Sequence, residues 1–156
     1  IRIKNEGRDI LLVLDISTSM LENDFSINRQ RLTRLQAVKL TASDFIDKRY
    51  DDRIGLVLFG SRAYLQAPVT FDKEAVKDIL WSMDAGMAGN STAIGDALGV
   101  ALKSVKDSEN KKNKIIFCDH NYLIFWFDFS STTKDESFAS FNFIKWFFFA
   151  FRTFQS

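Results

Sequence analysis

Asp15, Ser17 and Ser19 stand two residues apart, directly behind the apolar run Ile10–Leu14. All three side chains end in oxygen, and a hard divalent cation such as magnesium takes oxygen ligands. The run before them is short, leucine-rich and β-branched, with Arg8 and Asp9 in front of it. That is the pattern of a strand buried on both faces, as in a parallel sheet. The three oxygens would then leave the carboxyl end of a strand, where ligands bind in open α/β sheets. A Ser/Thr-rich turn that caps the next segment accounts for the same residues equally well. From this stretch alone, cation site and turn stand level.

A second oxygen-rich loop, Gly86-Met87-Ala88-Gly89-Asn90-Ser91-Thr92, enters the most regular helical pattern of the chain. Its glycines let the backbone approach a ligand closely, and Thr92 presents its hydroxyl at the helix start. A phosphate-binding loop is the rival, but the lysine that would neutralise phosphate is missing. An ordinary helix cap is the plainer alternative.

The elements that must position these loops alternate along the first 116 or so residues. A helix is predicted from near Thr33, with Leu35, Val38, Ala42, Phe45 and Ile46 on its apolar stripe. Ile54–Phe59 reads as the next strand, closed by a turn at Gly60-Ser61. Ala63–Val69 contains Pro68 and reads as an edge strand. Asp72 caps a helix carrying Ala75, Val76, Ile79, Leu80 and Met83. The helix after Thr92 places Ala93, Ile94, Ala97, Leu98, Ala101, Leu102 and Val105 on one face. A strand begins at Ile115-Ile116. Strand–helix repetition of this kind predicts an α/β fold, a doubly wound parallel sheet flanked by helices.

Composition bounds the function. The chain has 156 residues, enough for one domain with a real core. A net charge of +1 provides no basic field for nucleic acid. The single Cys118 excludes a disulfide framework and a cysteine-rich zinc site. The chain opens on Ile1 rather than Met, as a fragment or a processed form would, and no signal peptide is visible. No apolar run reaches the ~18 residues of a membrane span. Twelve of the sixteen phenylalanines lie between Phe117 and Phe154, while all seven glycines and the one proline lie before Val100. A doubly wound domain needs turn residues that this stretch lacks. The expected division is a partial domain over residues 1–119 and an atypical Phe-rich tail over 120–156. Truncation or a shifted frame after about residue 116 would produce that change, and so would an unusual natural extension.

Taken together, Asp15-x-Ser17-x-Ser19, Thr92 in its Gly-rich loop and the alternation between them resemble a von Willebrand factor A domain. The stretches Glu6–Met20, Asp52–Phe59 and Thr92–Leu98 are similar to bacterial Bat-type (aerotolerance) members. The resemblance implies a Rossmann-like sheet with a metal-ion-dependent adhesion site. In that family, two serines and a threonine hold magnesium, and two aspartates support it, often through water. By resemblance Asp15, Ser17, Ser19 and Thr92 take these roles, with magnesium the expected ion and manganese or calcium the alternatives. The later aspartate normally sits in Thr-Asp-Gly; here Asp119 stands after Ile115–Cys118 without that Thr or Gly, and Asp128 is a poorer candidate. His120 has no second histidine to share a metal with and reads as a loop residue. The family's later, glycine-ended strand is absent. Only 37 residues follow Asp119, little more than one βαβ unit needs.

Hydroxyl ligands leave much of the ion's charge uncancelled, so a partner protein's carboxylate could complete its shell. The expected function is therefore metal-dependent protein–protein interaction, without catalysis, in a membrane-associated bacterial stress or aerotolerance protein. The periplasmic side is favoured, and any membrane contact runs through parts outside this chain. Expected partners are proteins that supply a carboxylate, with other Bat-type proteins or an associated ATPase implied by the resemblance. Glu22, Asp24, Arg29, Arg31 and Arg34, behind the site, are either partner contacts or a solvated loop. One alternative is phosphotransfer with Asp15 as nucleophile, but a dehalogenase-like enzyme needs a second acid where Ser17 stands. Another is a truncated product without function, which would expose a sheet edge beside the Phe-rich segment.

Overall fold

The computed structural model describes residues 7–27, 29–106, 113–119 and 124–128. Its centre is β1 (Asp9–Asp15), all seven residues of which are buried. β1 runs parallel to β4 (Arg53–Phe59) on one side and to β6 (Asn113–Cys118) on the other. With β5 (Ala63–Thr70) and β7 (Ile124–Asp128) at its edges, the five-stranded sheet has the order β5-β4-β1-β6-β7. Ile10, Leu12 and Leu14 pack with Leu35, Ala42, Ile46, Val76 and Leu80 of α1 (Arg34–Asp47) and α2 (Lys73–Ser82). Leu11 and Val13 face the other way, onto Ala97, Ala101 and Val105 of α3 (Ile94–Lys106). Helices thus cover both faces, and the period-two alternation of β1 feeds two cores.

The sheet is mixed rather than wholly parallel. β5 (Ala63–Thr70) pairs antiparallel with β4, and β7 (Ile124–Asp128) pairs antiparallel with β6. Connection length explains this. A parallel partner needs a crossover of a dozen or more residues. Only residues 60–62 and 119–123 are available at the two edges. Pro68 lies on edge strand β5, as predicted. β7 falls within the stretch set apart by composition from residue 120 onward.

Local chemistry accounts for the helix starts. Thr33 and Gln36 form a reciprocal capping box at α1: Gln36 N–H donates to Thr33 Oγ1 (3.1 Å) and Thr33 N–H to Gln36 Oε1 (2.9 Å). Asp72 Oδ1 accepts the Ala75 N–H at the start of α2 (3.0 Å). In α3 the buried residues are Ala97, Ala101 and Val105, one i, i+4, i+8 line. Ile94 and Leu102, expected on the same face, are 45% and 38% exposed. The alanine line lets the helix sit close to the sheet, with Ile94 and Leu102 turned outward. Lys39 is buried, with its Nζ donating to the backbone carbonyls of Trp81 (3.0 Å) and Met83. It closes the carboxyl end of α2, where those carbonyls lack helical partners.

The register of β1 on β4 is fixed at its amino end by reciprocal contacts. Asp9, 1% exposed, receives Nε and Nη2 of its register partner Arg53, both at 2.7 Å. Beside them Arg8 N–H donates to Asp52 Oδ1 at 2.9 Å, and Arg53 N–H to Arg8 O at 2.9 Å. Bidentate guanidinium pairing is directional, and removing one member leaves a buried charge without its counter-ion. Arg53→Ala is expected to lower stability by about 3 kcal/mol in urea unfolding. Lys48→Ala, which breaks an exposed pair with Asp44, should change it by less than about 0.5 kcal/mol.

Candidate metal centre

The chain leaving β1 remains in the sheet for one residue more, with Ile16 N–H donating to Phe59 O at 2.8 Å. It then turns sharply. Asp15, fully buried, accepts the Ser17 N–H on Oδ1 at 2.8 Å, an aspartate turn two residues long. Met20, also fully buried, pins the following 3₁₀ turn (Thr18–Leu21), and its N–H reaches Ser17 O at 3.1 Å. These anchors put the hydroxyls of Ser17 and Ser19 2.9 Å apart. Asp15 therefore shapes the turn that presents the two serines.

Thr92 comes from a distant part of the chain. Its Oγ1 lies 3.5 Å from Ser17 Oγ, across 75 residues of sequence. It is not a helix cap, because α3 begins at Ile94 and its first bond runs from Ala97 N–H to Ala93 O. The loop carrying it is stitched to both neighbours. Gly86 N–H donates to Ile16 O (2.6 Å), Ser61 N–H to Ala88 O (2.6 Å) and Ala93 N–H to Gly60 O (2.7 Å). Ser61 Oγ also accepts from Ser91 N–H (3.1 Å) and lies 2.9 Å from Ser91 Oγ. Ser61 is a part of the centre that the sequence did not reveal. It reads as a turn residue, and only the fold brings it beside residue 91.

Asp119 follows Cys118, whose register partner is Leu14. The next step of that register brings Asp119 level with Asp15, and Asp119 is buried. Asp128 pairs with Lys114, at the amino end of the parallel strands and so opposite the centre. His120 lies outside the described residues. Burial pushes the Cys118 thiol up to about 12, so it offers no thiolate at neutral pH as nucleophile or soft ligand. Among the described residues, no three His, Cys, Asp or Glu side chains converge on one point. The donors gathered here are chiefly hydroxyls.

A magnesium ion provides a metric test of that set. With Mg–O distances of about 2.0–2.1 Å and octahedral geometry, adjacent ligand oxygens lie about 2.8–3.0 Å apart. The Ser17–Ser19 separation of 2.9 Å fits one such edge. The 3.5 Å to Thr92 is a little wider, within the reach of a rotamer adjustment. The residues present therefore fit the ion.

A mostly parallel sheet covered by helices on both faces, with two hydroxyl-bearing loops meeting at the carboxyl end of its central strand, defines a class: an α/β domain of the open, Rossmann-like kind. Residues 10–119 match the von Willebrand factor type A domain, and the chain belongs to that family. Three solved structures are similar to it. An uncharacterized membrane-spanning protein from Vibrio fischeri is 48% identical, with a TM-score of 0.63, over 65% of this chain and 50% of that one. An aerotolerance-related membrane protein from Bacteroides fragilis is 31% identical, with a TM-score of 0.64, over 71% and 53%. The protein BatB from Bacteroides thetaiotaomicron is 31% identical, with a TM-score of 0.63, over 71% and 52%. This chain thus spans about half of each, and 31% of a longer relative that it matches at 38% identity over 113 residues.

The loop that delivers Thr92 depends on close backbone approach. Gly89 has φ +93°, and an added Cβ would stand 2.3 Å from Ser61 Oγ and 2.7 Å from Ser61 Cβ. Gly89→Ala is expected to cost about 1–3 kcal/mol in thermal or urea unfolding. Gly99→Ala, inside α3 with nothing within 4 Å, should instead add about 0.5–1 kcal/mol.

Proposed function

We propose that this domain is a metal-dependent protein–protein interaction module that binds magnesium through Ser17, Ser19 and Thr92. Asp15 and Asp119 are the supporting aspartates, and the ion serves as an anchor for a carboxylate of a partner protein. The observation that carries this reading is the convergence of the three hydroxyls, two from the loop after β1 and one from the loop before α3. Hydroxyls are neutral ligands, so an ion held by them keeps charge available for an outside anion. Bound magnesium would supply that electrostatic attraction; the protein supplies its position.

The geometry gives less support to Asp15 as a nucleophile. It is fully buried, and Oδ1 is engaged by the Ser17 amide. In its parent protein, we infer that the domain belongs to a membrane-associated assembly. The support is that relatives at 48% and 31% identity are described as membrane proteins. Other Bat-type proteins or an associated ATPase are the candidate partners.

Isothermal titration with magnesium tests the centre. Weak binding is expected in the wild type, falling tenfold or more in Ser17→Ala and in Thr92→Ala. Unchanged affinity in both variants would refute the assignment.

A further inference from the structure

Between the centre and α1 the chain makes a hairpin, β2 (Phe25–Ile27) with β3 (Gln30–Leu32), which no sequence signal marked. Ile27 pairs with Gln30, and Arg29 lies in the short turn between them. Two-residue turns of this kind favour glycine at their second position, because φ is positive there. Here the second residue is Arg29, with φ 65°, the one non-glycine residue with positive φ among the described residues. A bulky side chain in that conformation is strained. Glycine would make the same turn without strain.

The neighbouring charges are unevenly matched. At the hairpin's base, Arg34 pairs with Glu22 (2.7 Å) and Asp24 (2.6 Å), and Arg34 N–H is bound to Glu22 O. Arg29 and Arg31 are exposed and form no ion pair among the described residues. Pairing sets Arg31 opposite Ser26, on the face away from half-buried Phe25 and Leu32. The base is rigidly tied, while the two outer guanidinium groups are left toward solvent.

We propose that the β2–β3 hairpin is a second contact surface, with Arg29 and Arg31 binding an acidic segment of the partner that supplies the carboxylate. This rests on the adhesion reading above and deepens it. The hairpin begins six residues after Ser19, and Arg34 N–H ties its base to Glu22 O, beside the 3₁₀ turn that carries Ser19. Guanidinium groups bind carboxylates in a forked geometry that a point charge lacks. A strained arginine in place of glycine then has a reason: the side chain is used.

The test is fluorescence anisotropy on the whole chain, with magnesium present, using two labelled hexapeptides. One alternates Asp and Glu; the other has a single carboxylate and Asn or Gln elsewhere. The wild type should prefer the acidic peptide about tenfold. Arg29→Gly/Arg31→Gln should reduce that preference to within about twofold, and Arg29→Gly keeps the turn while relieving its strain. A preference that persists in the double variant, or none in the wild type, overturns the proposal. The Ser17→Ala variant separates the two readings. If magnesium has no effect on either peptide while the arginine-dependent preference remains, the metal reading fails and the hairpin stands.

Discussion

β1 is buried on both faces and hydrogen-bonded on both edges, and everything else in the domain is arranged around that condition. No polar side chain is tolerated along its middle, so its two aspartates stand at its ends. Each is buried and each is satisfied in its own way. Asp9 takes the forked guanidinium of Arg53, which locks the strand against β4. Asp15 takes the amide of Ser17, which bends the chain out of the sheet. One end of the strand is thereby a register lock and the other a loop former. A one-residue slip would turn Ile10, Leu12 and Leu14 away from α1 and α2 and carry Asp15 out of its turn. The position of the hydroxyls is inherited from that lock, at the far end of the same strand.

The choice of hydroxyls over carboxylates has a physical logic. A serine hydroxyl both donates and accepts, so Ser17 and Ser19 can bond to each other at the separation a shared cation would require. Clustered carboxylates at that distance would repel one another until an ion arrived. The loop can therefore hold its shape with or without a ligand.

Much of this was legible in the chain, for identifiable reasons. The apolar run Ile10–Leu14 announces a doubly covered strand, and its end makes Asp15, Ser17 and Ser19 conspicuous. Thr33 and Asp72 signal their helices through the spacing of capping residues. Thr92 draws notice because glycines precede it and a regular helix follows. Other features depend on contacts distant in sequence and leave no local trace. Ser61 looks like any turn serine until residue 91 is folded beside it. Lys39 looks like a surface lysine, though it is buried against the end of α2. The β2–β3 hairpin was missed because each strand has three residues and its turn carries arginine where glycine would have been the cue. The antiparallel edges were obscured by the repeating alternation, although the short connections implied them. Ile94 and Leu102 fit the helical period but not the burial, because small alanines set the helix–sheet distance.

The pairing of β1 with β6 also has a consequence in time. Asp9 meets Asn113 about 100 residues later in the chain. During synthesis, the central strand of the domain emerges early and can acquire β4 on one edge. Its other edge must wait until nearly all of the domain has left the ribosome. Contacts so distant in sequence form slowly, and an open edge on such a strand invites pairing with another chain. The interval between the synthesis of β4 and that of β6 is thus the domain's period of greatest exposure to misassembly, a vulnerability set by strand order rather than by stability.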